Sequence, residues 1–349
     1  MAQWIRREGS KHRFRYRHAD GRLVRDARTL ERIRRLVIPP GWSDVHIAAG
    51  AGAEIQAWGL DLKGRKQYRY HARAVERGQL RKYYRVRELA RELPAIRARV
   101  RTHAAARMPS RRSVAAAVVR LISESFFRVG GERYADENKT FGITTLGKRH
   151  VEILKGQAYF TYIGKKSIPQ RQVVTNRELA RLVKRQLASP GARLFRYHDG
   201  SRWRNLTARD VNEYLHDTLD VPFSAKDFRT WGGTLRAATV LAELGPAETP
   251  TEARRNVATT MRLVASELGN TPTICRKSYV HPIVVARYLD DGETITLSAR
   301  YRQASDAYAH SAEERALIRF LDRHFPERRR RGRGGRKGAT KRGVKGGTA

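Results

Sequence analysis

A single cysteine, Cys275, in a chain of 349 residues excludes an intrachain disulfide framework and a cysteine-based zinc site. No apolar run approaches the ~18 residues of a membrane-spanning helix. The first residues, Met1-Ala2-Gln3-Trp4-Ile5-Arg6-Arg7, hold no apolar signal-peptide core. Acid is also scarce: 34 Asp and Glu face 72 Lys and Arg, a formal net charge of +38. The carboxylates present, such as Asp136-Glu137 and Asp290-Asp291, are scattered, whereas a metal-dependent nuclease wants them clustered. Charge of this size repels itself unless the protein meets a polyanion. Ten Lys and Arg with no acid lie in Arg328–Ala349, which leaves +28 of the +38 on the body. The basic character therefore belongs to the whole chain. Double-stranded DNA is the natural partner, because Lys and Arg displace the counterions condensed on its phosphates. A membrane partner is not expected, and the expected setting is the cytoplasm, on the nucleoid.

Hydropathy patterning predicts an α+β protein: a small β-rich N-terminal domain over residues 1–75, a larger, mainly helical domain over 76–326 with a small β-hairpin sheet, and a disordered basic tail over 327–349. Period-two alternation marks strands at His12–Arg17, Arg22–Arg25, Glu54–Trp58 and Lys66–Tyr70, with a short helix at Thr29–Leu36. From Ala72 the period turns helical, with a break or bend expected at Pro94. Ser113–Phe127 is a second helix, stopped at Gly130-Gly131, and strands follow at His150–Leu154, Ala158–Ile163 and Gln172–Val174, with a turn at Gly164-Lys165-Lys166. Helices resume at Asn176–Leu187, Thr207–Leu219, Ala225–Leu244, Thr251–Leu268, Pro282–Leu289 and Glu313–Phe325.

The stretch Leu268–Pro282 has the most chemical content. Tyr279 stands just ahead of Pro282, which suits the first position of a helix; Arg276 and Lys277 precede it, and Asn270 lies nine residues upstream. A tyrosine serves as a covalent nucleophile where cations neutralise the group it attacks. Moving a phosphodiester takes neutralisation of two non-bridging oxygens, an in-line nucleophile and a proton for the leaving oxygen. Arg128 at a helix end, Lys165 at a hairpin tip, Arg229 near a helix start, Asn270 and Tyr279 supply that set. Each has an ordinary alternative when taken alone: a solvated helix-end arginine, a turn lysine, an Arg229–Asp227 ion pair, a helix-ending asparagine, a packing tyrosine.

Their order decides more than any one of them. Ser125-Phe126-Phe127-Arg128-Val129-Gly130-Gly131, Tyr162-Ile163-Gly164-Lys165-Lys166-Ser167, Lys226-Asp227-Phe228-Arg229, Leu268-Gly269-Asn270 and Arg276-Lys277-Ser278-Tyr279 together resemble the type IB DNA topoisomerases, in the short poxvirus-like form found in bacteria. Ile38-Pro39-Pro40-Gly41-Trp42 and Gln67-Tyr68-Arg69-Tyr70 resemble the same family, so the likeness runs from about residue 30 to 290. It implies the catalytic fold shared with tyrosine recombinases. It also implies a monomer clamped on duplex DNA that relaxes supercoils through a 3′-phosphotyrosyl intermediate, with no cofactor, ATP or metal. Tyr279 would be the nucleophile, Lys165 with help from Arg128 the general acid, Arg128 and Arg229 the clamps on the non-bridging oxygens, and Asn270 a neutral donor. Lys166, Lys226, Arg276 and Lys277 would touch DNA. So would Arg65, Lys66, Gln67, Tyr68, Arg69 and Tyr70, with Gln67 carrying the amide that pairs with adenine and the basic residues on phosphates.

Two positions depart from the family pattern. Many members place histidine where Asn270 stands, and many have an acid after the hairpin lysine where this chain has Lys166. Lys165 is assigned as the acid because it directly follows Gly164, and a share for Lys166 stays open. Two other readings compete: a tyrosine site-specific recombinase, which usually carries His-x-x-Arg where this chain has Lys226-x-x-Arg229, and a non-catalytic basic architectural DNA-binding protein.

Overall fold

The computed structural model describes residues 4–10, 13–297 and 308–325; the basic tail expected over 327–349 lies outside them. The N-terminal part is a five-stranded antiparallel sheet in the order β2-β1-β3-β4-β5. Its strands are β1 (Trp4–Glu8), β2 (Arg15–Arg17), β3 (Ser43–Ala48), β4 (Ile55–Leu60) and β5 (Lys66–Tyr70). Helix α1 (Ala27–Arg35) packs Ile33 and Leu30 on Ile5, Val45, Ile47 and Ala57. Patterning missed β1 and β3, and of the strand expected at Arg22–Arg25 only a bridge between Arg17 and Leu23 forms.

β5 ends at Tyr70, and a single residue, His71, caps the next element, α2 (Ala72–Ala104). This helix runs through Pro94 without the expected break. Proline removes the donor that would satisfy the carbonyl four residues back, here Ala90, and His310 Nε2 lies 2.6 Å from that oxygen in its place. Helix α3 (Arg111–Ser125) stops earlier than Gly130-Gly131, because Phe126 itself takes the left-handed conformation, with φ 56°.

Helix α4 (Glu132–Asn138) follows, then a three-stranded antiparallel sheet of β6 (Val151–Leu154), β7 (Gln157–Ile163) and β8 (Pro169–Val174). A short 3-10 turn, Lys165–Ser167, joins β7 to β8, with Lys166 and Ser167 at φ 63° and 57°. Helix α5 (Arg177–Leu187) leads to a hairpin that patterning did not find, β9 (Arg196–His198) and β10 (Trp203–Asn205), and then to α6 (Ala208–Glu213). The helical body is completed by α7 (Ala225–Leu244), α8 (Pro250–Leu268), α9 (Pro272–Ser278), α10 (Pro282–Asp291) and α11 (Ala312–His324). One continuous core runs through it, centred on α3 and α7 and including Leu121, Ile122, Phe127, Phe195, Trp231 and Tyr288. The turn between β4 and β5 touches this body: Lys63 Nζ donates to Asn138 Oδ1 at 2.8 Å.

Candidate active site

Arg229 is the deepest charged group of the cluster, only 3% exposed. It lies in the second turn of α7, whose start is fixed by Ser224 and Asp227: Asp227 Oδ2 accepts from the Ser224 N–H and hydroxyl at 2.8 Å each. Asp227 spends its other oxygen on Arg85 at 2.9 Å and makes no pair with Arg229. The Arg229 guanidinium instead donates to two main-chain carbonyls, Phe126 O and, at 2.8 Å, Leu268 O. Its Nε is buried with no partner. Burial first, then the neighbouring Arg128 charge, lowers its pKa to about 10, with Tyr279 and Tyr162 working the other way.

Arg128 is placed by the chain leaving α3. Its carbonyl accepts from Ile143 N at 2.7 Å, and its Nη2 donates to Gly269 O at 2.8 Å and to Asn270 Oδ1. That bond fixes which end of the Asn270 amide faces Arg128 and leaves Nδ2 buried without an acceptor. Gly269 ends α8 in the left-handed conformation at φ 62°, so the helix-ending role expected of Asn270 belongs to its neighbour. Tyr279 is half-buried at the end of α9, its ring centroid 5.2 Å from the Arg229 guanidinium carbon. α9 itself was not expected from patterning.

Two glycines let α7 approach so closely. A Cβ on Gly232 would stand 1.9 Å from the Phe126 ring, and one on Gly233 would stand 2.9 Å from the Tyr279 carbonyl oxygen. The pair sits mid-helix, where glycine costs about 1 kcal/mol each against alanine, and that cost was the signal in the sequence.

Lys165 is exposed on its turn. The turn is tied to the cluster through Gln170, which is 7% exposed. A Cβ on Gly164 would lie 2.7 Å from Gln170 Cγ, and one on Gly269 would lie 1.8 Å from Gln170 Oε1. The Gln170 side chain thus fills the space between the residue before Lys165 and the residue before Asn270. Lys166, Lys226, Arg276 and Lys277 are exposed around this region.

The β5 residues sit on the N-terminal sheet and divide between its faces. Lys66, Tyr68 and Tyr70 are exposed, with Lys66 Nζ 3.7 Å over the Trp58 ring and the two tyrosine rings stacked at 5.8 Å. Gln67 and Arg69 alternate to the other face and, with Arg65 just ahead of the strand, are engaged. Arg65 pairs with Asp61 at 2.7 Å, Gln67 Nε2 donates to Asp61 at 3.0 Å, and Arg69 donates to Val37 O at 2.6 Å. Among the described residues no three His, Cys, Asp or Glu side chains gather in a way that holds a metal ion, and no helix is long and apolar enough to cross a membrane.

The family described as "Eukaryotic DNA topoisomerase I, catalytic core" matches residues 71–303, and "Bacterial DNA topoisomerase IB, N-terminal domain" matches residues 13–61. The chain belongs to the type IB DNA topoisomerases. It is 30% identical over 304 residues to the DNA topoisomerase 1B of Acanthamoeba polyphaga mimivirus, across 84% of this chain and 90% of that protein. It is 28% identical over 182 residues to the DNA topoisomerase 1B of Vaccinia virus (strain Copenhagen), covering 50% of this chain and 54% of the viral one. As a type IB topoisomerase it acts on double-stranded DNA, and its N-terminal part is of the bacterial type. Sequence reasoning missed Gln170, Gly232-Gly233 and the α2 residues described below, all of which act through contacts made only in the folded chain.

Proposed function

We propose that the chain relaxes supercoiled DNA by cutting and resealing one strand through Tyr279. The phenol oxygen attacks a backbone phosphorus while the bond from phosphorus to the 5′ oxygen breaks. Tyr279 gives up its proton, and Lys165 supplies one to the leaving oxygen. The product is a 3′-phosphotyrosyl ester and a free 5′-hydroxyl. Arg128 and Arg229 neutralise the non-bridging oxygens, with Asn270 Nδ2 as a neutral donor. The cut strand swivels, and attack by the 5′-hydroxyl reverses the step. Since the ester keeps the energy of the original bond, the cycle asks for neither ATP nor a metal ion.

One observation supports this reading above the others. Two buried donors lack acceptors, Arg229 Nε on the arginine that faces Tyr279 and Asn270 Nδ2 on the side chain that Arg128 holds, and a tetrahedral phosphorus centre carries the oxygens they lack. The N-terminal sheet would close the other side of the duplex as the protein works as a monomer in the cytoplasm, on the nucleoid. Lys66, Tyr68 and Tyr70 would face the groove from one side of β5, and Arg65, Gln67 and Arg69 would exchange their present partners for DNA. Lys166, Lys226, Arg276 and Lys277 would contact phosphates beside the cut.

The test is a detergent quench of a reaction on a defined duplex, with mapping of the DNA-linked peptide. The expected peptide contains Tyr279, and Tyr279→Phe binds DNA without forming the adduct. Relaxation of plasmid DNA in excess chelator is expected. Relaxation by Tyr279→Phe, or a linked peptide from elsewhere, would reject the assignment.

A further inference from the structure

Helix α2 reaches across the body to the main chain on both sides of Tyr279. Lys82 Nζ donates to Ser278 O at 3.2 Å, and Tyr83 Oη donates to Val280 O at 3.0 Å. Between them, Thr234 Oγ1 lies 3.3 Å from Tyr279 O and accepts from His281 N at 3.0 Å. Of three successive carbonyls, those of residues 278 and 280 therefore each accept from an α2 side chain, while the Thr234 hydroxyl beside the middle one donates to Thr230 O at 2.8 Å. The last carbonyls of a helix have no donors of their own, and water serves that need on most exposed ends. Here the fold commits two α2 residues to it, across 196 and 197 positions of sequence.

Lys82 is a costly choice for satisfying one carbonyl. Its stem is half-buried and its ammonium lies 4.0 Å over the Tyr83 ring. Burial, then the nearby Lys226 charge, lowers its pKa to about 8, against the pull of Asp227. A hydroxyl or amide would bond the same oxygen without that penalty. The expense is explained if the main chain at Ser278 has to be held in one place.

We propose that Lys82 is a positioning residue for the nucleophile: together with Tyr83 it clamps the main chain on either side of Tyr279 and so aims the phenol oxygen. This rests on Tyr279 being the nucleophile. α2 starts one residue after β5, so the clamp is continuous with the strand that carries Tyr68 and Tyr70.

The experiment compares full-length Lys82→Met, Lys82→Arg and Tyr83→Phe with the unaltered protein in single-turnover cleavage of a short duplex, quenched with detergent. Noncovalent affinity is measured separately in the Tyr279→Phe background. Lys82→Met is expected to lower the cleavage rate constant on the order of tenfold or more at unchanged affinity, and Lys82→Arg, which keeps a charged donor, to restore most of it. Tyr83→Phe removes one hydroxyl and keeps the ring, so it carries the test if Lys82→Met does not fold; it is expected to slow cleavage severalfold at unchanged affinity. Wild-type cleavage by Lys82→Met or, should that variant not fold, by Tyr83→Phe overturns the proposal, as does a loss of rate matched by an equal loss of affinity. Failure of the unaltered protein to form any adduct would instead overturn the role of Tyr279.

Discussion

The guanidinium carbon of Arg229 lies 5.2 Å from the centroid of the Tyr279 ring, and its two terminal nitrogens are spent on the carbonyls of Phe126 and Leu268. The arginine is thus both a support, joining the end of α3 to the end of α8, and a cation facing the tyrosine. A lysine has one nitrogen on a flexible stem and cannot fill the three places at once. Arg229→Lys is expected to lower the cleavage rate constant by at least ~100-fold, with a lower melting temperature as well. Single-turnover adduct formation and a thermal melt check both; unchanged cleavage would remove Arg229 from the site.

Asn270 offers an isosteric test of charge. In Asn270→Asp the oxygen that accepts from Arg128 is kept, while the buried Nδ2 donor becomes a carboxylate oxygen. If that donor faces a phosphate in the transition state, cleavage is expected to drop by roughly 100-fold or more, with a smaller loss of binding. Cleavage at the unaltered rate would show that the amide does not meet the phosphate.

Gly233 separates helix propensity from position. Alanine is the better helix former by about 1 kcal/mol, yet its Cβ would stand 2.9 Å from Tyr279 O and 3.3 Å from Tyr279 Cβ. Gly233→Ala is expected to slow cleavage about tenfold with DNA affinity intact. Gly232→Ala, which meets the Phe126 ring at 1.9 Å, is expected to cost roughly 3 kcal/mol of stability instead. Denaturant titration and adduct kinetics on the two variants distinguish the effects.

His281 predicts acid sensitivity. It is 1% exposed, its Nδ1 accepts from Ile283 N at 3.2 Å to cap α10, and Nε2 has no partner. Burial, then the charges of Lys82 and Arg87, lowers its pKa from 6.5 to about 3. The folded state therefore keeps it neutral where the unfolded chain takes up a proton. Its contribution to stability is full above pH 6.5 and is lost as pH falls from there towards 3. At about 1.4 kcal/mol per unit the whole loss is on the order of 4 to 5 kcal/mol. His281→Asn keeps a capping oxygen and removes the titration, so its stability should change less between pH 7 and pH 5. Equal slopes in denaturant titrations at the two pH values would count against this account.

What the sequence made readable is what local chemistry decides. The bounds of α7 follow from Ser224 and Asp227 at one end and Gly245 at the other, and the structure has the same residues, Ala225–Leu244. The cations and the tyrosine are visible because charge and spacing survive in one dimension. α9, with seven residues, is too short to show a period, and β1 has a single buried residue, Ile5, among charged ones. Pro94 was misread because the donor that repairs its gap, His310, comes from 220 residues away. Nothing in the sequence marks Lys82 or Gln170, and Tyr83 reads only as part of the apolar face of α2, until the fold brings carbonyls and glycines against them.

The repair at Pro94 bears on how far this enzyme can be shortened. His310 splints α2 from a part of the chain that follows every residue assigned to chemistry, and α11 just after it supplies Glu314. That carboxylate holds Arg97 of α2 at 2.6 Å and accepts from the Trp231 indole of α7 at 3.4 Å. Trimming the chain back to residue 325 would spare all three ties. Trimming it to 292 would cut them together, one of them two residues from Arg229, so the hold of α11 on α2 and α7 would go at a single step.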